Sequence, residues 1–154
     1  MAGTSFENLQ GYRLSEKLAD EVWKLVSGCW DHSSKATGGR QMVRAADSTG
    51  ANIAEGTGRG SFQDNRRFVR TARGSMFETR HWLRRAHRRG LLNQETVSRI
   101  KSILDELGPK LNAYLSTIGE GAATKDTGQP RLATKDKGLM TKDKAPSTAN
   151  KELV

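Results

Sequence analysis

One stretch decides how this chain folds: Ser61–Arg89, SFQDNRRFVRTARGSMFETRHWLRRAHRR. At about 100° per residue, its apolar and small side chains fall on one face of a helix and its arginines on the opposite face. The inward set is Phe68, Ala72, Ser75, Met76, Thr79, Trp82, Leu83 and Ala86. The outward set is Arg66, Arg70, Arg73, Arg80, Arg84 and Arg88. The sequence therefore predicts one long helix that packs on one side and presents guanidinium groups on the other.

Both ends of this helix carry recognisable signals. Ser61 offers an N-cap oxygen, and Asp64 places a carboxylate beside the positive end of the helix dipole. Gly90 supplies a C′ residue. The preceding run Gly56–Gly60 is expected to be a turn between helices, because glycine disfavours helix by roughly 1 kcal/mol. Gly74, in the middle, is expected to be tolerated where another backbone passes close.

Two helices are predicted before this stretch. The first spans about Phe6–Trp30 and has two apolar stripes. The stripes are Leu14, Leu18, Val22 and Leu25, and Tyr12, Ala19, Trp23, Val26 and Trp30. Asp31–Gly39 is predicted to be a loop, and the second helix to run from about Arg40 to Glu55. Its inward residues are Met42, Ala46, Thr49 and Ile53, and the small residues Ala46 and Gly50 would let another helix approach closely.

A fourth helix is predicted from Gln94 to about Ile118, capped by Asn93 and kinked at Pro109. Four amphipathic segments without a strand pattern indicate an all-α, antiparallel up-down-up-down four-helix bundle over residues 1–120. Residues 121–154 repeat the tripeptide Thr-Lys-Asp three times among glycine and proline, and they are predicted to be a low-complexity, disordered tail.

Positive charge is concentrated in one part of the chain. Between Arg66 and Lys101 there are eleven Arg or Lys residues and only two acids, a local charge of +9 that equals the net charge of the whole chain. A solvated helix face is the plain explanation, but the preference for arginine over lysine favours phosphate recognition. The predicted nucleic-acid-binding residues are Arg59, Arg66, Arg67, Arg70, Arg73, Arg80, Arg84, Arg85 and Arg88. Arg59, Arg66 and Arg67 would act with the amides at the helix N-terminus on one phosphate.

Catalysis has no support in the sequence, so no catalytic residue, metal or cofactor is predicted. The glycine run lacks the Gly-Lys-Ser/Thr ending of a nucleotide-binding P-loop. Cys29-x-x-His32 has no second metal-binding pair, and Asp64 and Glu78 are isolated carboxylates. One cysteine and the absence of an apolar run of about 18 residues indicate a cytoplasmic protein without a membrane segment.

Two apolar stripes on the first helix indicate burial on two sides, one of them against another subunit. Phe77 lies among the arginines, where an aromatic side chain needs a partner chain or a nucleobase to cover it. The predicted self-association residues are Tyr12, Trp23, Trp30, Asn52, Glu55 and Phe77.

The run Asn52–Arg59, NIAEGTGR, with Phe68, Gly74-Ser75 and Glu78 downstream, resembles the four-helix-bundle family encoded in intervening sequences of 23S rRNA genes. It is also similar to the accessory variability determinants of diversity-generating retroelements. The resemblance covers about Phe6–Ile118, and Gly50 stands where the family usually has proline. It implies a homopentamer with a basic surface that binds RNA and, in the retroelement branch, a reverse transcriptase.

Two hypotheses of function follow, and a metal-dependent enzyme is the third and least supported alternative. The first is a homo-oligomeric, non-enzymatic accessory protein that binds nucleic acid, with RNA favoured over DNA. The second is a protein-interaction scaffold whose basic face docks an acidic protein such as a polymerase, with Phe77 as an anchor in that interface.

Overall fold

The computed structural model describes residues 6–120, which contain four long helices and no strand. A 3-10 turn at Phe6–Asn8 precedes α1 (Gln10–Cys29). The other long helices are α2 (Arg40–Gly58), α3 (Phe62–Arg88) and α4 (Gln94–Thr117). The all-α prediction is confirmed, while the predicted tail, residues 121–154, lies outside the described residues.

Each long helix packs against two others: α1 and α3 both contact α2 and α4. The first two helices run in opposite directions. A Cβ added to Gly50, in the second half of α2, would lie 2.9 Å from the Ser15 Oγ near the start of α1, and one added to Gly39, before α2, would lie 2.7 Å from the Val26 Cγ1 near the end of α1. Gly50 therefore allows the close helix approach that the sequence predicts.

The buried side chains come from all four helices and form one core. The inward faces predicted for α2 and α3 are confirmed, since all members of both sets are buried or partly buried. The largest fully buried hydrophobic side chains are Leu18, Val22, Met42, Ile53, Val69, Met76, Ile100, Leu104, Leu107 and Leu111.

The loop predicted at Asp31–Gly39 is wrong, because this segment is helical. His32–Ser34 form one helical turn and Lys35–Gly39 a π-helical turn that continues into α2. The Asp31 carboxylate accepts a hydrogen bond from the Ser34 amide at 3.0 Å and caps the turn. Gly39 is required by packing, because a side chain there would collide with Val26 and Trp30 of the neighbouring helix.

The turn predicted at Gly56–Gly60 is wrong for its first three residues, since α2 continues to Gly58. Gly56 is a packing residue: a Cβ there would lie 2.9 Å from the Phe68 Cβ of α3. Gly74 shows the opposite situation. Nothing lies within 4 Å of a Cβ placed on it, so the close backbone expected there is absent among the described residues.

The predicted caps are confirmed. The Ser61 hydroxyl accepts a hydrogen bond from the Asp64 amide at 3.2 Å, and the Asn93 side chain accepts one from the Thr96 amide at 2.9 Å. Gly90 has a φ of 71°, as a C′ glycine requires. The last helix continues through Pro109 without a break.

Candidate nucleic-acid interface

The predicted arginine stripe lies on the side of α3 that borders α4 and solvent. Arg66 donates from Nη2 to the Leu115 carbonyl oxygen at 3.3 Å, and Arg73 donates from Nη1 to the Asn112 Oδ1 at 2.9 Å. Both acceptors are neutral, so these hydrogen bonds orient the guanidinium groups without compensating their charge. Two of the stripe's residues are thus oriented by α4 and have no carboxylate partner within residues 6–120.

Three of the nine predicted binding residues are paired with acids instead. The pairs are Arg59–Glu55, Arg67–Asp64 at 3.7 Å and Arg80–Asp105 at 2.9 Å. Arg59 and Arg67 also lie over the ring of Phe68, with their guanidinium carbons 5.0 and 5.1 Å from its centroid. These two side chains therefore stabilise the junction between α2 and α3, and their charge is partly offset there.

A small charge cluster joins α3 to α4. Asp105 accepts hydrogen bonds from Lys101, on its own helix, and from Arg80. Those bonds, first from Lys101 and then from Arg80, hold the pKa of the Asp105 carboxyl below its ordinary value of 3.8. Asp105 therefore compensates positive charge in the middle of the stripe. Its role follows from the register between two helices, which no local pattern in the sequence reveals.

The C-terminal half of α3 carries the strongest uncompensated charge. The side chains of Arg84, Arg85 and Arg88 are exposed and have no hydrogen bond or ion pair within residues 6–120. With Arg80 and His81 they line a groove of about 360 Å³. Like charges three and four residues apart repel each other, and a polyanion would relieve that repulsion. This groove contains the largest group of unpaired arginines on the stripe.

A second recess lies at the other end of the stripe, where α3 begins and α4 ends. Arg66, Arg70 and Phe62 line it with Gln63, Ile118 and Gly119, in a volume of about 400 Å³. The Arg70 side chain is exposed and, like those of Arg84, Arg85 and Arg88, has no hydrogen bond or ion pair among the described residues. The stripe thus has a recess lined by arginines at each end.

The predicted self-association residues do not form one surface. Trp23 is 62% exposed and lines an apolar groove of about 690 Å³ between α1 and α2, together with Val26, Val43 and Ala51. Trp30, at 5% exposed, belongs to the core of the chain. Val43 and Ala51 were missed from the sequence because each is a single small or branched residue on an otherwise polar face.

The remaining members of that set have other local roles. Tyr12 packs edge-on against Phe6, with 4.8 Å between ring centroids. Asn52 donates from Nδ2 to the Ser48 carbonyl oxygen at 2.7 Å, and Glu55 pairs with Arg59. Phe77 is 56% exposed and lies on the arginine side of α3, outside the groove that Trp23 lines.

Residues 6–120 contain no group of three His, Cys, Asp or Glu side chains arranged to hold a metal ion. Cys29 is exposed and unpaired. None of the helices in this range has the length and apolarity needed to span a bilayer.

Fold and surface together define the class: an all-helical protein of four long helices with a basic face on the third. Residues 7–113 match the model of the 23S rRNA-intervening sequence protein family, and the chain belongs to that family. A similar fold occurs in a protein of unknown function from the S23 ribosomal protein family of Bacteroides thetaiotaomicron. The two share 22% identity with a TM-score of 0.65, over 70% of this chain and 99% of that one. No curated protein matches this chain.

Proposed function

We propose that this chain is a non-enzymatic RNA-binding accessory protein that acts as a homo-oligomer. One observation carries the proposal: six guanidinium groups on α3 have no carboxylate partner within residues 6–120. They are Arg66, Arg70, Arg73, Arg84, Arg85 and Arg88. Such groups contact phosphates, which position a nucleic acid without reading its sequence. Membership of a family named for an intervening sequence of 23S rRNA favours RNA as the ligand.

The affinity for RNA should fall steeply as the salt concentration rises. Each phosphate contact to a single strand contributes about −0.7 to the slope of log K against log salt concentration. Six contacts therefore give a slope of about −4, or roughly a 300-fold loss of affinity between 50 and 200 mM salt. A solvated helix face that contacts no phosphate would give no such dependence.

The test compares two triple variants with equal changes in net charge. The first variant replaces Arg70, Arg84 and Arg88 by Gln and removes three unpaired cations, so the slope of log K against log salt concentration is expected to fall in magnitude by about 2. The control variant replaces Arg59, Arg67 and Arg99 by Gln and removes three ion-paired cations. RNA binding is measured by fluorescence anisotropy over a range of salt concentrations. Equal effects of the two variants, or none from the first, would overturn the assignment of the stripe.

The oligomeric part of the proposal rests on the groove between α1 and α2. The antiparallel contacts support an up-down-up-down four-helix bundle, and the family resemblance implies that five copies assemble. An exposed tryptophan in an apolar groove of this size favours burial by another subunit. Trp23→Glu is expected to reduce the mass measured by light scattering to that of a smaller species. An unchanged mass would place the interface elsewhere.

The competing proposal is that the same basic face docks a protein instead of RNA. The exposed side chain of Phe77 favours this alternative, because an aromatic ring can anchor a protein interface. The resemblance implies a reverse transcriptase as that partner. Pull-down from nuclease-treated and untreated lysates separates the possibilities. Capture that survives nuclease treatment and depends on the arginines supports a docked protein, whereas loss of all captured material on nuclease treatment supports RNA.

A further inference from the structure

Two exposed phenylalanines interrupt the arginine stripe. Phe62 is 60% exposed and Phe77 is 56% exposed, and with Trp23 they are the exposed large hydrophobic residues of the described chain. At 100° per residue, Phe62 and Phe77 lie within about 60° of each other around α3, on the same side as Arg66 and Arg84. Aromatic rings are therefore interleaved with guanidinium groups on one face.

Phe62 lies in the recess at the start of α3. Its Cβ and Cγ lie 3.7 Å from a Cβ position on Gly119, so one part of the side chain packs against the end of α4 while most of it stays in solvent. The buried Ile118 provides an apolar floor, and Arg66 and Arg70 line the same recess. This combination suits a flat, apolar ligand that carries a negative charge a few ångströms away, which describes a nucleotide.

Phe77 has different neighbours from Phe62, but it too is an exposed aromatic ring beside arginine side chains. Residues three and four positions away are its neighbours on the helix surface: Gly74 on one side, and Arg73, Arg80 and His81 around it. Gly74 lies in the middle of a helix, where glycine is unfavourable by about 1 kcal/mol, yet no atom packs where its Cβ would be. Packing does not explain this glycine. The open space at Gly74 lies on the same exposed face as the Phe77 ring, three residues away along the helix.

We propose that the stripe binds single-stranded RNA, with Phe62 and Phe77 as platforms on which unpaired bases stack. The inference rests on the proposed function and specifies its ligand. Stacking on aromatic side chains beside a basic groove is how proteins hold single strands irrespective of sequence. The two rings are separated by roughly 22 Å along the helix axis, at 1.5 Å per residue. Bases inside a duplex offer no free face to such rings, so the duplex gains only the phosphate contacts.

The test measures two labelled RNAs, a 15-nucleotide oligouridine and a blunt RNA duplex, by fluorescence anisotropy. Phe62→Leu and Phe77→Leu retain an apolar side chain and remove the aromatic ring. Each is expected to weaken oligouridine binding by about fivefold or more. Duplex binding and the salt slope are expected to stay unchanged, because the arginines remain. Circular dichroism establishes that both variants keep their helix content.

Gly74 provides a second test with its own control. Gly74→Gln places a flexible side chain beside the Phe77 ring and is expected to weaken oligouridine binding, whereas Gly74→Ala adds one methyl group and is expected to preserve it. Unchanged oligouridine affinity in both phenylalanine variants, or equal losses on the duplex, overturns the inference. The inference is likewise overturned if Phe77→Leu leaves oligouridine affinity unchanged but abolishes nuclease-resistant capture of a protein. In that case Phe77 anchors a protein partner.

Failure of this inference is distinguishable from failure of the proposed function. If the triple variant of Arg70, Arg84 and Arg88 loses RNA binding while the phenylalanine variants do not, RNA binding stands and stacking is wrong. If the triple variant binds both RNAs with unchanged affinity and salt slope, the proposed function itself fails.

Discussion

Replacing Asp105 by asparagine is expected to strengthen RNA binding, although it breaks an ion pair. Asp105 is the carboxylate that α4 places against the middle of the stripe, where it accepts hydrogen bonds from Arg80 and Lys101. Asparagine has nearly the same shape but no charge. The substitution therefore leaves two cations uncompensated on the face that is proposed to contact phosphate.

The expected gain in RNA affinity is modest because the Asp105 cluster is exposed to solvent. The side chains of Arg80 and Asp105 are 36% and 43% exposed, and pairs of this kind contribute between about 0 and 1 kcal/mol. Freeing Arg80 from its partner thus lowers the free energy needed to engage a phosphate by up to about 1 kcal/mol, or roughly fivefold in affinity. If Arg80 and Lys101 both gain a phosphate, the slope of log K against log salt steepens by about 1.4.

The assay is anisotropy with the same oligouridine at several salt concentrations. Glu106→Gln is the matched control, because Glu106 is an exposed acid on the same helix, outside the cluster, and its removal changes net charge equally. Asp105→Asn should exceed this control in both affinity and salt slope. Equal effects would mean that only overall charge matters, and weaker binding would mean that the pair itself holds Arg80 in its binding position; either result refutes the reasoning.

Three further predictions concern the stability of the fold, measured by urea unfolding followed by circular dichroism. Gly39→Ala should lower the free energy of unfolding by about 1–3 kcal/mol, because its Cβ would lie 2.7 Å from Val26, whereas Gly74→Ala should raise it by up to about 1 kcal/mol in open space. Leu104→Ala, in the fully buried centre of α4, should cost about 2–5 kcal/mol. The Asp105 pKa is lowered in the folded chain, so the pair stabilises above the ordinary pKa of 3.8 and its contribution is lost as pH falls through the lower folded value. Wild type should therefore lose slightly more stability than Asp105→Asn on acidification, and equal losses would contradict this.

The third helix could be predicted in detail because its signals are local. A side-chain cap at Ser61, a glycine after the last turn and a 3.6-residue division of apolar and basic residues all lie within one element. The same reasoning fails where glycine is chosen for packing. Gly39 and Gly56 resemble turn residues in the sequence, yet both are buried in helical segments because a neighbouring helix leaves no room for a Cβ.

The nine predicted arginines were found from the sequence, but their sorting into paired and unpaired groups was not. That sorting depends on which acids of α2, α3 and α4 lie close enough to each arginine. Glu55 could be matched with Arg59 by a spacing of four residues, whereas Asp105 is 25 residues from Arg80. Only the register between α3 and α4 creates that contact. Tertiary register is therefore the missing information for this contact.

The two proposed surfaces occupy different sides of the molecule, and this has a consequence for binding. Trp23 lines a groove between α1 and α2, while the arginine stripe lies along α3 beside α4. If the chains assemble through the first groove, as proposed, the second surface stays exposed on every subunit. Each added copy then presents another set of unpaired guanidinium groups to one RNA strand.

Binding by several subunits raises the effective concentration of the remaining sites, so weak, sequence-independent contacts on one helix can add up to a stable complex. A Trp23 variant that dissociates the assembly should accordingly weaken binding to a long strand much more than to an oligomer that spans one stripe.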